Sequence, residues 1–264
     1  MHLAHSHSSR WLTGLLTLCA IGLSQSIPIG AAAPKSSEEQ PLYTPPKKVT
    51  PRARVGGDVR GTDGAEPEVK ALVPDHVGLT IKETPVVNWF VSKSTSHEVV
   101  VTLRDDRSPR SFQEKSIPSP KQPGIYTINF KELGFSLEPN VQYRWFVSVI
   151  RDPNQHSNNP VAGGVIERCE FNACVIELNP VLTCSGEEDV LKNARAGLWY
   201  DAMGCLCNLI DADSKNDKLR RLRARLLKDV GLNGVAEWDL RSLQNATRWS
   251  PFHLFVAPLW TFSF

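Results

Sequence analysis

An excess of charge of either sign is what this chain most plainly lacks: 30 Lys and Arg stand against 28 Asp and Glu, a formal net charge of +2 over 264 residues. A balance that close supplies no general attraction to nucleic acid, and no nucleic-acid recognition motif is present to make up for it. Long hydrophobic runs are missing too. The most apolar stretch, residues 11–23, falls short of the roughly 20 residues a bilayer crossing needs and is broken by Ser24, Gln25 and Ser26. Catalytic signatures are absent as well: there is no glycine-rich phosphate loop, no HExxH and no nucleophile elbow. His76, His97 and His156 all sit beside turn or loop signals. The chain is therefore expected to be non-catalytic, with no cofactor and no metal. Because catalytic groups are assembled in space, a hydrolase acting on envelope material stands as the least favoured alternative.

What is present begins with an export signal. His2, His5, His7 and Arg10 precede the apolar stretch, and the small residues Gly30, Ala31, Ala32 and Ala33 follow it, which reads as a signal peptide over residues 1–33. Export to the periplasm or cell surface follows from that reading, with an uncleaved anchor as the alternative. Of the six cysteines, five lie beyond the signal: Cys169, Cys174, Cys184, Cys205 and Cys207. An odd number leaves at least one thiol free or bonded to another chain. Cys169 and Cys174 flank Glu170-Phe-Asn-Ala173, and a hairpin there would bring them face to face, making them the candidate disulfide; buried free thiols are the alternative. Cys205 and Cys207, two apart on a helix, point about 200° from each other, so they are expected to be thiols in or near a helix core rather than metal ligands.

Residues 34–70 are rich in Pro and Gly with one aromatic, Tyr43, and read as a disordered linker. Residues 71–180 carry β-branched and aromatic runs at 77–81, 86–91, 99–103, 125–130, 141–150 and 165–175, separated by turn residues. Tyr143, Trp145, Val147 and Val149 form a clean alternating stripe, the mark of a central strand, and Tyr126, Ile128 and Phe130 are the core-facing side of another. No long helical period separates these runs. The spacing predicts an antiparallel β-sandwich of immunoglobulin or fibronectin type III kind. From Ser185 the period becomes helical: a capping-box pattern at Ser185-Gly-Glu-Glu188 opens the first of three short amphipathic helices over residues 185–232, and Gly231 stops the last. Residues 233–264 form a tail of uncertain order, ending in the alternating Trp260, Phe262 and Phe264.

The third helix surrounds its leucines with Lys218, Arg220, Arg221, Arg223, Arg225 and Lys228. Arg220, Arg221, Arg223 and Arg225 are the candidate interaction surface, toward an acidic partner or anionic lipid; a solvated face opposite a packed stripe is the plainer reading. The polar loop from Asp152 to Pro160 is turn chemistry first and a recognition loop second.

Several segments in order resemble a cyanobacterial family of secreted proteins classed as domain of unknown function 928. They are Arg52-Ala-Arg54-Val-Gly-Gly57-Asp-Val-Arg60-Gly61, Lys70-Ala-Leu-Val-Pro74 with Gly78-Leu79-Thr80, Pro85-Val-Val-Asn-Trp89-Phe-Val91, Tyr143-Arg-Trp145, Asp152-Pro153-Asn154, Gly197-Leu-Trp199-Tyr200-Asp201-Ala202 and Val230-Gly231-Leu232. The resemblance implies a β-sandwich with a helical C-terminal part and adds no activity. It also implies a cysteine near Thr62-Asp63 and another near Arg151, both missing here. Residues 197–232 are similar to a tetratricopeptide unit, too short to stand alone. The function read from all this is an exported protein-interaction module, its partner an envelope protein or polymer, with no nucleic acid and with membrane association not favoured. A structural, membrane-associated envelope component is the second reading.

Overall fold

The computed structural model describes residues 40–46, 53–56, 67–108, 110, 112–154, 158–170 and 181–248. The expected signal peptide, Cys174, His156 and the aromatic stretch from Phe252 lie outside the described residues. Eight strands run among those described: β1 (Val69–Ala71), β2 (Gly78–Thr80), β3 (Val86–Val91), β4 (Glu98–Asp105), β5 (Phe112–Ile117), β6 (Gly124–Asn129), β7 (Gln142–Ile150) and β8 (Val161–Arg168). Five helices accompany them: α1 (Phe130–Leu133), α2 (Glu187–Arg195), α3 (Trp199–Ala212), α4 (Asp217–Asp229) and α5 (Asn233–Arg248).

The strands form two sheets, β1-β3-β6 and β2-β8-β7-β4-β5, and no closed barrel. Pairing is antiparallel throughout except at β2, which runs parallel to β8, so the expectation of a wholly antiparallel arrangement fails at that one short edge strand. β7 occupies the middle of the larger sheet, and its odd residues Tyr143, Trp145, Val147 and Val149 are all buried while the even ones are half-buried. The alternation works because a strand's side chains point to opposite faces with a period of two. In β6, Ile128 is buried and Tyr126 half-buried, whereas Phe130, expected to continue the strand, is the first residue of α1. Asn129 turns the chain there by accepting the Lys131 N–H on its side chain, and Phe130 is fully buried against Phe135.

β3 is buried on both faces. Two of its even residues meet helices: Val86 lies beside Gly204 of α3, and the Phe90 ring contacts Trp238 of α5 edge-on at 5.1 Å between centroids. Its odd residues, Val87, Trp89 and Val91, join the same buried cluster as the β7 stripe and the inner residues of α2 to α5. One core therefore serves the sheets and the helices, and all the described residues fall within a single compact unit starting at Gln40.

Two local expectations are corrected. The capping box at Ser185 does not form, because the N-cap of α2 is Gly186 and Ser185 stands one residue too early; Asp189 instead accepts the Ser185 backbone N–H at 2.8 Å. The supposed linker contains ordered, packed pieces: Tyr43 is buried between His76, stacked at 5.8 Å, and the edge of Trp199 at 5.0 Å. The Leu42 and Tyr43 N–H groups donate to the Asp229 carboxylate at 2.7 and 3.1 Å, and Thr44 N–H donates to Ala194 O at 3.1 Å. Composition counted the few apolar groups this segment owns and could not count the surface that α3 and α4 offer it. Residues 233–248, whose order the sequence left open, are helix α5, packed on α4.

The start of α3 is tied to the end of β2 by a buried carboxylate. Asp201 Oδ2 accepts the Ile81 N–H at 3.1 Å, and Lys82 Nζ lies 3.9 Å from Oδ1. Burial pushes the Asp201 carboxyl up from 3.8 to about 6, with Lys82 and the Ile81 N–H opposing the shift. An acid whose folded-state value is raised keeps its proton longer in the folded chain, so its stability contribution is present at the lower pH and is lost as pH rises between those two values. Urea unfolding across that window should show stability falling as pH rises for the wild type and a flatter profile for Asp201→Asn, which keeps an acceptor for Ile81. Identical slopes in the two proteins would contradict the assignment.

Candidate functional site

Three segments far apart in sequence line a cavity of about 190 Å³: Arg54 and Gly56, then Lys70 and Ala71 of β1, then residues 231–235, where α4 turns into α5. Each is held there for a local reason. Val55 pairs with Gly163 of β8 through two backbone hydrogen bonds, Val55 N–H to Gly163 O at 2.9 Å and Gly163 N–H to Val55 O at 2.8 Å. Gly56 follows with φ of +105°, and a Cβ on it would stand 2.8 Å from Val161 O, so the close approach and the backbone conformation both require glycine. Gly231, φ +75°, terminates α4, with its N–H on Lys228 O at 3.0 Å and the Leu232 N–H on Leu227 O at 2.8 Å. β1 takes its place by pairing with β3, Lys70 opposite Phe90.

The electrostatics of the cavity are positive. Arg54 is half-buried and donates to Val230 O at 3.2 Å. Burial pulls its guanidinium below the usual range, and the nearby Asp75 partly restores it. Lys70 forms an ion pair with Glu68 at the rim. Helix α5 opens onto the cavity: its first backbone bond is Ala236 N–H to Leu232 O at 3.0 Å, so the N–H groups of Asn233, Gly234 and Val235 precede the helical ladder. Its first turn holds no acidic residue to neutralise the positive end of the helix dipole. An arginine fork, an ammonium and three forward-pointing N–H groups around one cavity are chemically suited to an oxyanion.

The residues singled out from sequence are placed elsewhere. Arg223 is buried against Asp239 and so is not part of a surface; Arg220 turns inward to Ser242 at 3.2 Å; Arg221 is exposed and pairs with Asp217 at 3.3 Å; Arg225 is half-buried on the same helix. The four arginines therefore do not share one open face, because α5 covers the side of α4 that carries Arg220 and Arg223. Cys169 is buried, and its candidate partner Cys174 lies outside the described residues. Cys205, expected to be a thiol, is instead disulfide-bonded to Cys184, with their Cα atoms 5.4 Å apart; Cys207 is a buried thiol. Sequence reasoning missed this pairing because the two cysteines are 21 residues apart and one precedes α2 while the other sits on α3. Closing a loop of that length restricts the unfolded chain enough to contribute about 3 kcal/mol. Replacing both cysteines by serine should therefore lower unfolding stability in urea by about that much; a loss below about 1 kcal/mol would show that the bridge adds nothing to the packed fold.

Among the described residues, no helix is long and apolar enough to cross a membrane, and no group of three or more His, Cys, Asp and Glu is gathered for a metal. His76 is engaged with Tyr43 Oη at 3.4 Å and Val77 O at 2.9 Å, Asp152 accepts the Asn154 N–H in its turn at 2.8 Å, and Asp201 is locked to Ile81.

The family profile described as Domain of Unknown Function (DUF928) matches residues 55–240, well over half of the sequence. The chain belongs to the DUF928 family. Three of the segments that carry its resemblance to that family, around Arg54, Lys70 and Gly231, are the three that line the cavity. Three of the others, Gly78, Trp145 and Trp199-Tyr200-Asp201, meet where α3 locks onto the larger sheet. No curated protein matches this DUF928 chain. Among solved structures, a crystal structure of a multi-domain immunophilin from Arabidopsis thaliana is similar at 10% identity over 71% of this chain and 100% of that one, with a TM-score of 0.16, too slight a likeness to bear on the fold.

Proposed function

We propose that this DUF928 chain is an exported, non-catalytic interaction module of the periplasm or cell surface, holding an envelope protein or polymer at the Arg54–Lys70 cavity. The observation that carries the binding reading is the cavity itself, a positive, glycine-walled recess assembled from three distant segments, whereas the candidate acid–base residues His76, Asp152 and Asp201 do not line it and are each engaged in a structural contact. Export is supported by the Cys184–Cys205 bridge, since structural disulfides persist in oxidising compartments and are rare in reducing ones. On the fold, we read the two sheets as a β-sandwich of immunoglobulin or fibronectin type III kind, supported by their shared buried cluster. Residues 197–232, which hold α3 and α4, read as a tetratricopeptide-like unit, with α2 packed on α3 and α5 on α4.

Peptide mapping of the protein from fractionated native cells, without reductant, tests this reading. A mature N-terminus near Ala33, recovery in the periplasmic or surface fraction and a linked Cys184–Cys205 peptide are expected. An intact Met1, recovery in the cytosol and free thiols at both positions would overturn it.

A further inference from the structure

The cavity has a geometry that goes beyond a generic docking face. Its space of about 190 Å³ is several times the roughly 30 Å³ share of a liquid water, room for an oxyanion and part of the group that carries it. Arg54 enters from one side, anchored at Val230 O so that its fork is held rather than mobile. Lys70 stands on β1, and the N–H groups of Asn233, Gly234 and Val235 close the third side. The polar contributors are donors or cations; of the acids near them, Glu68 pairs with Lys70 at the rim and Asp75 acts on Arg54 without lining the cavity. A half-buried guanidinium costs desolvation that an anion in the cavity would offset, because charge-assisted hydrogen bonds strengthen where water is excluded. Gly231 and Gly234 leave the approach open: a Cβ built on either meets nothing within 4 Å.

We propose that this cavity is a binding site for a single oxyanion, a phosphate or carboxylate group, held by Arg54, Lys70 and the first N–H groups of α5. The proposal rests on the reading of this recess as the docking face and names the chemistry it recognises. The oxyanion belongs either to a free small molecule or to a polymer that displays it, and the two sources are distinguished by valency.

Isothermal titration of the full chain with inorganic phosphate, with glucuronic acid and with alginate, a carboxylate polymer, tests it. Phosphate and glucuronic acid should compete for one site, with affinity falling as salt is raised. Alginate binding at least tenfold tighter than glucuronic acid assigns the polymer as the source; equal affinity assigns the free group. Arg54→Gln should weaken binding at least tenfold, and Arg221→Gln, on the exposed side of α4, should leave it unchanged. Gly234→Glu separates binding from folding. It replaces a helix-weakening glycine with a good helix former and places an acid in the first turn, so the melting temperature should hold or rise while the new carboxylate occupies the cavity and binding is lost. No saturable binding of any of the three probes, or wild-type affinity in both Arg54→Gln and Gly234→Glu, overturns the site. If the protein is exported and processed near Ala33 yet binds no oxyanion, the site falls and the interaction-module reading stands. If an intact, cytosolic chain binds phosphate through Arg54, the converse holds.

Discussion

Asp239→Leu alone is expected to destabilise the chain by about 3–5 kcal/mol, Arg223→Met alone by somewhat less, and the double variant by little. Arg223 and Asp239 form a two-pronged ion pair between α4 and α5, Nε to Oδ2 at 2.8 Å and Nη2 to Oδ1 at 2.7 Å, with side-chain exposures of 6% and 1%. Breaking one half of a buried pair leaves the other charge in a medium that solvates it poorly, whereas removing both deletes the desolvation penalty with the attraction. The asymmetry between the single variants comes from Arg220, whose Nη1 lies 3.9 Å from Asp239 Oδ1. Without Arg223, Asp239 still has a cation beside it. Without Asp239, both arginines lose their acid, and Arg223 keeps only the Cys207 sulfur at 3.7 Å. A double-mutant cycle in urea reads the coupling directly. Single variants within about 1 kcal/mol of the wild type would show that the pair is solvated and does not bind α5 to α4.

That same pair explains what was and was not legible in the residues. The alternation in β7 and the leucine spacing of α4 could be read because each pattern needs only its own element: a period of two or of 3.6 is present in the string before any partner is known. Arg223 and Asp239 break those patterns. Each lies on the buried stripe of its helix, and each read singly is a solvent-facing charge, so α4 looked like a basic surface and α5 like a tail of uncertain order. Only their pairing across two helices makes either burial tolerable. β5 was missed for the opposite reason. Its sequence, Phe-Gln-Glu-Lys-Ser-Ile, is exposed at the first five positions, and it is a strand because β4 presents a free edge with which it pairs from Val99 to Arg104. β1 is three residues long and owes its existence to β3.

The cavity was illegible in a further sense. Arg54 fell in a segment whose composition reads as a spacer, Lys70 at the last residue of that segment and Gly231 at a helix stop, so each had a sufficient local explanation. What joins them is the position of Val55 against Gly163 and of β1 against β3, contacts of high sequence separation that no local pattern encodes. The order of the family segments along the chain could be seen; that three of them converge could not.

Tyr200→Ala is expected to cost about 3–5 kcal/mol, and Tyr200→Phe about 1–3 kcal/mol, because the residue works both as volume and as a hydrogen-bond relay. Its hydroxyl accepts the Trp145 Nε1–H at 2.9 Å and donates to Val165 O at 3.1 Å, joining α3 to β7 and β8 inside the core. The phenylalanine variant keeps the ring and leaves a buried indole N–H without its acceptor, and an unpaired buried donor carries the full desolvation penalty. The alanine variant also opens a cavity, since the ring is packed so closely that a Cβ on Gly78 would stand 2.6 Å from it and one on Gly164 would stand 3.2 Å from its hydroxyl. Those glycines supply the converse test. Gly78→Ala keeps every hydrogen bond of the relay and adds a methyl where there is no room, so it should destabilise by about 1–3 kcal/mol through overpacking alone. In the background of Tyr200→Ala the same methyl has space, and its cost should disappear. Urea midpoints for the four proteins decide the matter: additive losses would mean that Gly78 and Tyr200 do not share a contact, whereas a Gly78→Ala penalty that vanishes with the ring locates the lock between helix and sheets at this one junction.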